Sequence, residues 1–130
     1  MGHEVCITGV GTTTPLGHGF GAFADNLLSG CSGVGRVNGF DISEHPSQIA
    51  AQIDEVPCPS GWKPELFRQL ARLSQAILWC CTAALLDAGW WEARQQLRVG
   101  LVLGLGAEWL AVWESDARRN GNLRMLEQQL

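Results

Sequence analysis

The cysteines are the residues of this chain that could act as nucleophiles. A catalytic cysteine reacts as the thiolate, so it needs a helix amino terminus or a nearby cation to lower its pKa. Cys6 falls in a predicted strand, and Cys80 and Cys81 fall among apolar residues of a predicted helix, where burial raises a thiol pKa. Cys31 and Cys58 fall in predicted loops, and neither precedes a helix with a base beside it. The sequence therefore predicts no catalytic residue in this chain.

The same cysteines could instead form disulfides or bind a metal. Their number, five, is odd, and the chain shows no secretory signal, which makes a disulfide framework an unexpected arrangement. A structural zinc site needs four ligands at recurring spacing. His3, His18 and His45 form no such spacing with one another or with the cysteines. We expect no metal site.

Two glycine motifs raise the question of a nucleotide cofactor. Gly9–Thr14 lacks the third glycine of the dinucleotide fingerprint, and Pro15 and Gly17 interrupt the helix start that would hold a pyrophosphate. Gly104–Trp109 does not match the fingerprint either, and its Glu108 would repel phosphates. Both motifs are typical of tight turns at strand ends, and we expect no cofactor.

The elements that would position these residues follow an α/β pattern. Apolar, β-branched or aromatic runs bounded by glycine and proline predict strands, and apolar residues at helical spacing predict helices. The long helix should begin near Pro64 and stop at Gly89, with its second half apolar nearly all round. The predicted strands are Val5–Gly9, Gln48–Ile53 and Val99–Leu103, and the other predicted helices are Gly19–Ser29 and Glu108–Asn120, with a glycine-rich loop at Gly30–Asp41.

Composition limits the partners of the chain. With 130 residues it makes one domain at most, and its net charge of −4 argues mildly against nucleic acid or an anionic membrane as a partner. No stretch approaches the ~20 apolar residues that span a bilayer. The start of the chain lacks the cationic, apolar pattern of a signal peptide. We therefore expect no membrane span and a cytoplasmic location.

The order of the short motifs adds a family resemblance. The amino-terminal strand with its Gly-x-Gly exit and Thr-Pro turn comes first, and a Ser-Gly/Gly-x-Gly loop, a Phe-Asp pair, a long helix ending in Asp-Ala-Gly and a strand with a glycine exit follow. In this order they resemble the amino-terminal part of the β-ketoacyl-acyl-carrier-protein synthases. Two positions depart from the family pattern: Ala71 stands where members carry an acidic residue, and Leu73 where they carry phenylalanine. The motifs are Val5–Gly17, Leu27–Gly35, Phe40–Asp41, Ile49–Ile53, Arg72–Gly89 and Arg98–Gly106.

The resemblance implies an α/β, thiolase-like fold of which residues 1–130 hold only the first part of the amino-terminal βαβα half, in one truncated domain. It implies decarboxylative condensation of acyl and malonyl thioesters in fatty acid or polyketide synthesis, with the catalytic Cys-His-His outside this chain. It also implies an acyl carrier protein as partner, a homodimer or heterodimer, and no metal or nucleotide. By the same resemblance Gly106, Ala107 and Glu108 approach the acyl pocket, which the small Ala107 would make roomy.

Two alternatives stay open at this point. The first is a non-catalytic ketosynthase-like partner subunit of the chain-length-factor type, which the departures at Ala71 and Leu73 allow. The second is a free-standing small binding module. The downstream sequence distinguishes an active synthase from a partner subunit: an active member carries the nucleophilic cysteine there, and a partner subunit carries another residue. A folded, monodisperse chain of 130 residues would favour the binding module.

Overall fold

The computed structural model describes residues 2, 4–53, 55–104 and 106. The chain divides into two units, Met1–Arg98 and Val99–Leu130. All the helices and strands in the described part belong to the first unit. Among the described residues, no helix combines the length and the apolar character that crossing a bilayer needs.

The first unit opens with a small hairpin and a helix. Strands β1, Thr13–Thr14, and β2, Gly17–His18, pair antiparallel with Thr13 opposite His18. Pro15 and the leucine after it make the turn. Helix α1 then spans Phe20–Leu28, which confirms the helix predicted over 19–29. It begins at Gly19, whose φ of 86° is in the left-handed region that favours glycine.

A second hairpin comes after α1. Strand β3, Val34–Arg36, pairs antiparallel with β4, Ile49–Ala51. The second predicted strand is therefore confirmed in a shorter form. The prediction that Gly30–Asp41 is entirely loop was wrong, because β3 lies inside it. All residues of this ribbon are exposed, as a two-stranded sheet is when nothing covers its faces.

The long predicted helix is two helices. Helix α2 spans Pro64–Arg68 and α3 spans Arg72–Asp87. Neither proline nor glycine marks the break between them. Instead, the Gln75 side chain donates hydrogen bonds to the carbonyls of Phe67 and Leu70, at 3.2 and 3.0 Å. The Phe67 carbonyl also accepts from the Leu70 amide, so Gln75 adds a second bond there and gives the Leu70 carbonyl, beyond the end of α2, a side-chain donor.

Helix α3 stops where the sequence predicts. Gly89 has a φ of 71°, and the Trp90 and Gly89 amides donate to the carbonyls of Leu85 and Leu86. This is the bonding of a Schellman motif, in which a left-handed glycine ends the helix. Most side chains in the second half of α3 are half-buried, and Leu86 is exposed.

The buried interior of the described part is small. Its buried apolar side chains are Ile42, Val56, Pro59 and Phe67, and its buried polar residue is Thr82 on α3. The indole N–H of Trp62 donates to the Thr82 hydroxyl at 3.3 Å. A core of this size buries little apolar surface, so the stability of the chain rests on few contacts.

Two predicted strands do not form. Residues 4–12 and 99–104 carry no strand or helix, and the side chains of Val5 and Val102 are 93% and 96% exposed. The prediction of strands at Val5–Gly9 and Val99–Leu103 was therefore wrong for this structure. A strand exists only through its hydrogen-bonded neighbour, and within the described residues no segment pairs with either of them.

Candidate functional site

The residues predicted to line an acyl pocket are only partly described. Gly106 is exposed and lies in no helix or strand. Ala107 and Glu108 lie outside the described residues. The pocket assignment therefore stays a prediction from the sequence.

The cysteines show no arrangement for nucleophilic catalysis. All five are free: Cys6 and Cys31 are exposed, and the other three are half-buried. The prediction that Cys6 lies in a strand was wrong, because residues 4–12 carry no strand. The Cys58 thiol donates weakly to two backbone carbonyls, those of Pro59 and Trp62. Among the described residues, no three histidine, cysteine or acidic side chains come together to hold a metal ion.

Cys80 is the cysteine with a perturbed pKa. Burial raises the pKa of its thiol, a hydrogen bond from the Thr13 backbone opposes this, and the neighbouring Cys81 adds to the rise. A raised pKa keeps the sulfur protonated at neutral pH, which is the opposite of what a nucleophile needs. The structure thus supports a packing role for Cys80.

We expect iodoacetamide to alkylate Cys80 at least about tenfold more slowly than Cys31 at pH 7.5, because only the thiolate reacts and the sulfur is partly covered. The rate at Cys80 should keep rising as the pH increases beyond the ordinary pKa of a thiol. Peptide mass spectrometry over a time course measures both rates, and denaturation in urea, where the two rates should converge, is the control. Equal rates in the native chain would contradict the packing role.

The best-formed polar cluster surrounds the first hairpin. The Thr13 hydroxyl and His18 Nδ1 lie 2.6 Å apart. Thr14 accepts from the Leu16 amide and donates to the Gly17 carbonyl. The two bonds of Thr14 stabilise the turn, and the contact with Thr13 holds the Nδ1 side of the His18 ring.

Helix α3 holds the other side of the hairpin. The indole of Trp79 meets the His18 ring edge-to-face, with centroids 5.9 Å apart. Its N–H donates to the Thr12 carbonyl at 3.3 Å. Sequence reasoning considered His18 only as a metal ligand. The Thr-Pro-Leu-Gly turn was the signal that would have placed it opposite Thr13.

A cavity of about 320 Å³ lies beside this hairpin. Thr14, His18, Gln52 and Glu55 supply its polar side chains, and the apolar ones include Pro15. None of the described side chains that line it is a cysteine or a serine. The cavity offers hydrogen-bonding groups and apolar contacts, and the Thr14 hydroxyl among its lining groups is bonded within the turn to the Leu16 amide and the Gly17 carbonyl.

The glycines ahead of the hairpin pack against helix α3. A Cβ on Gly9 would lie 2.7 Å from the Ala88 nitrogen, and one on Gly11 would lie 2.8 Å from the Ala84 nitrogen. Between them, the Val10 amide donates to the Asp87 carboxylate at 2.9 Å. The first glycine motif therefore serves close packing of backbone on helix, which supports the prediction of a structural turn over a phosphate loop.

Comparison with known proteins adds a family to this geometry. The model of the family described as "Beta-ketoacyl synthase, N-terminal domain" matches residues 2–129. The chain is 35% identical over 86 residues to 3-oxoacyl-[acyl-carrier-protein] synthase II, chloroplastic, of Arabidopsis thaliana, covering 66% of this chain and 16% of that protein. It is 32% identical over 124 residues to the tetracenomycin polyketide synthase ketoacyl synthase alpha subunit of Streptomyces glaucescens, covering 88% and 29%.

A solved structure shows the same likeness. The chain is similar to the crystal structure of a β-ketoacyl synthase from Burkholderia phymatum, with a TM-score of 0.62 and 25% identity. The match covers 90% of this chain and 30% of that one. The chain thus spans less than a third of the length of each of these relatives.

Proposed function

The chain belongs to the β-ketoacyl synthase family through its amino-terminal domain and has the family's thiolase-like α/β fold in part, and from this premise we propose its function. It is the amino-terminal part of a 3-oxoacyl-[acyl-carrier-protein] synthase that condenses acyl and malonyl thioesters in fatty acid or polyketide biosynthesis. The family match over residues 2–129 carries the proposal. Relatives named for both kinds of synthase support it.

In the proposed reaction this chain supplies scaffold and not the reacting groups. The acyl group is transferred to a cysteine thiolate, malonyl-carrier protein loses carbon dioxide, and the resulting carbanion attacks the acyl thioester, releasing the thiolate. The cysteine and the two histidines that polarise the thioester carbonyl belong to the part of the synthase outside this chain. The raised pKa of Cys80 and the lack of a cysteine or serine among the described residues that line the His18 cavity support this division.

Within that scheme, we assign Gly106, Ala107 and Glu108 to the wall of the acyl pocket. Support comes from their position directly after the Val99–Leu103 run and its glycines, as in the family pattern. Ala107 has the small side chain that leaves room for a long acyl chain. Its role is tested by the substitution in the Discussion.

The proposed partners derive from the same reaction. An acyl carrier protein delivers the substrates, and two ketosynthase chains form a homodimer or a heterodimer. Neither a metal nor a nucleotide takes part. A cytoplasmic location stays a prediction from the sequence, since the matched relatives include a chloroplastic protein.

A second candidate is the non-catalytic partner subunit of the chain-length-factor type. The departures at Ala71 and Leu73 allow it, and Ala71 is the residue capping α3, where it makes no side-chain capping bond. An acidic side chain at this place would stabilise the helix start by accepting backbone N–H groups. Leu73, at the other departure, is 51% exposed.

We expect the chain alone to form no 3-oxoacyl product from acyl- and malonyl-carrier protein, because it carries no activated thiolate. A chimera in which residues 2–129 replace the matched region of the Burkholderia phymatum synthase should form that product. Mass spectrometry of the carrier protein measures both.

The controls separate the candidates. Turnover by the chain alone that Cys31→Ser or Cys58→Ser abolishes would contradict the division of roles. A monodisperse chimera that forms no product would favour the partner subunit over the synthase.

A further inference from the structure

A tight turn at residues 59–62 leads into helix α2. The Trp62 amide donates to the Pro59 carbonyl at 3.3 Å, and Gly61 between them has a φ of 82°, which the third residue of a type II turn requires. The Trp62 indole ties this turn to α3, because it donates to the Thr82 hydroxyl, and Thr82 is only 3% exposed. The turn is therefore fixed to the interior on one side.

The chain that follows α3 returns to the same turn. Residues 91–96 form consecutive turns, and the Gln96 amide donates to the Ala93 carbonyl at 2.8 Å. A Cβ on Gly61 would lie 2.8 Å from Cζ2 of Trp91 and 3.7 Å from its Nε1. Because Gly61 has no Cβ, the indole of Trp91 can lie close to the backbone of the turn.

Arg94 holds the Trp91 ring from within the same segment. Its guanidinium carbon Cζ lies 3.9 Å from the centroid of the ring, and its Nη1 donates to the Trp91 carbonyl. A guanidinium stacked on an indole gains cation–π attraction, and its planar group can stack and donate at once. Both side chains are half-buried, so water weakens this attraction less than at a fully exposed site.

We propose that residues 91–96 act as a clasp, which closes when Trp91 packs on the turn at Gly61 and Arg94 stacks on Trp91. The clasp joins the start of the helix pair to its end, since the turn precedes α2 and the clasp follows α3. Trp91 is the closing contact, and Arg94 is a positioning residue that acts through Trp91. All of these residues belong to the first unit, so the clasp closes within this chain.

The consequence of this arrangement is that the turn and the clasp open together. If Arg94 no longer holds the indole, the turn loses the side chain that packs on it. If the turn is pushed away from Trp91, residues 91–96 lose the surface on which they pack. The Trp62 amide in the turn and the Gln96 amide in the clasp report opening of the two parts, so exchange at each should respond to a change in the other.

Hydrogen exchange of the 130-residue chain, followed amide by amide by NMR, tests this coupling. Arg94→Gln removes the stacked cation and should speed exchange of the Trp62 amide at least about fivefold. Arg98→Gln is the matched control, because it removes the same charge at an exposed residue. It should change the Trp62 rate less than about twofold.

Gly61→Ala tests the coupling in the other direction. The added Cβ would overlap the Trp91 ring, and exchange of the Gln96 amide should rise at least about tenfold. Gly30→Ala is the control for this variant, because Gly30 also has a left-handed φ, 74°, but a Cβ there would meet no atom within 4 Å. It introduces the same kind of backbone strain and should change the Gln96 rate less than about twofold.

The Gly19 amide, which donates to the Thr12 carbonyl at 2.8 Å, reports opening elsewhere in the first unit. In Arg94→Gln and Gly61→Ala it should exchange at the rate of the parent chain. Acceleration at Gly19 equal to that at Trp62 and Gln96, as in a variant that does not fold, would show general destabilisation and overturn the proposal. Acceleration confined to the part that carries the substitution would overturn it as well.

Discussion

Replacing Gly11 by alanine is expected to destabilise the chain by about 3 kcal/mol, the upper range for overpacking at a site that cannot relax. The added Cβ would overlap the Cys80 carbonyl oxygen and lie 2.8 Å from the Ala84 nitrogen. Both are backbone atoms of α3, so no side-chain rotation relieves the overlap. The segment must move away from α3, which strains the neighbouring bond from the Trp79 indole to the Thr12 carbonyl. Urea unfolding followed by circular dichroism measures the loss.

Gly21→Ala is the matched control for this prediction. Gly21 lies inside α1, and a Cβ there would meet no atom within 4 Å. Alanine favours a helix over glycine by about 1 kcal/mol, so this variant should be more stable than the parent chain. Two variants that shift stability in the same direction would contradict the close packing of Gly11 on α3.

Ala107→Phe in the active chimera is expected to lower activity toward long acyl primers and to leave acetyl-sized primers nearly unchanged. If the phenyl ring displaces about three methylenes of the acyl chain, each worth about 0.8 kcal/mol, the loss is about 2.4 kcal/mol, or about 60-fold in rate. Relative rates across a series of primer lengths measure the effect. The prediction depends on the proposed pocket.

Ala107→Gly is the control, because it adds no volume and should keep the parent's chain-length profile. The melting temperature of each variant is measured alongside the rates. A uniform loss at all primer lengths, together with a lower melting temperature, would show that Ala107 packs in a structural turn and would rule out the pocket assignment.

The parts of the fold that could be predicted from the sequence are those set by neighbours along the chain. Helix α1 agrees with the spacing of its apolar residues, and the end of α3 agrees with Gly89, because only glycine enters the left-handed region at little cost. The break at Gln69–Ala71 could not be predicted in this way. It depends on Gln75, whose side chain returns from the next helix to the carbonyls of Phe67 and Leu70.

The strands could not be predicted in this way, because their formation depends on residues distant in sequence. Val5–Gly9 and Val99–Leu103 have strand composition, but a strand is defined by a partner distant in sequence, and the described residues offer none. Conversely, β3 forms around Gly35, a residue that weakens a strand, because Ile49–Ala51 pairs with it. Composition indicates what a segment can do, and pairing decides what it does.

For the candidate site, the sequence allowed a catalytic cysteine to be excluded, but it did not indicate where a polar site would form. The sequence neighbours of the cysteines already argued against a nucleophile, and the raised pKa of Cys80 in the structure agrees with that prediction. The polar cluster at His18 was missed, because it needs Trp79 from a helix distant in sequence. Gly106–Glu108 rests on the family pattern, and its test is the primer series.

The bond between Val10 and Asp87 joins residues 77 positions apart, which has a consequence for synthesis on the ribosome. At about 5 to 20 residues per second, the segment around Val10 waits about 4 to 15 s before Asp87 has even been added to the chain. Helix α3 itself forms within about a microsecond. The docking of the amino-terminal segment is therefore timed by translation, because Gly9 and Gly11 have no helix to pack on until α3 has been made.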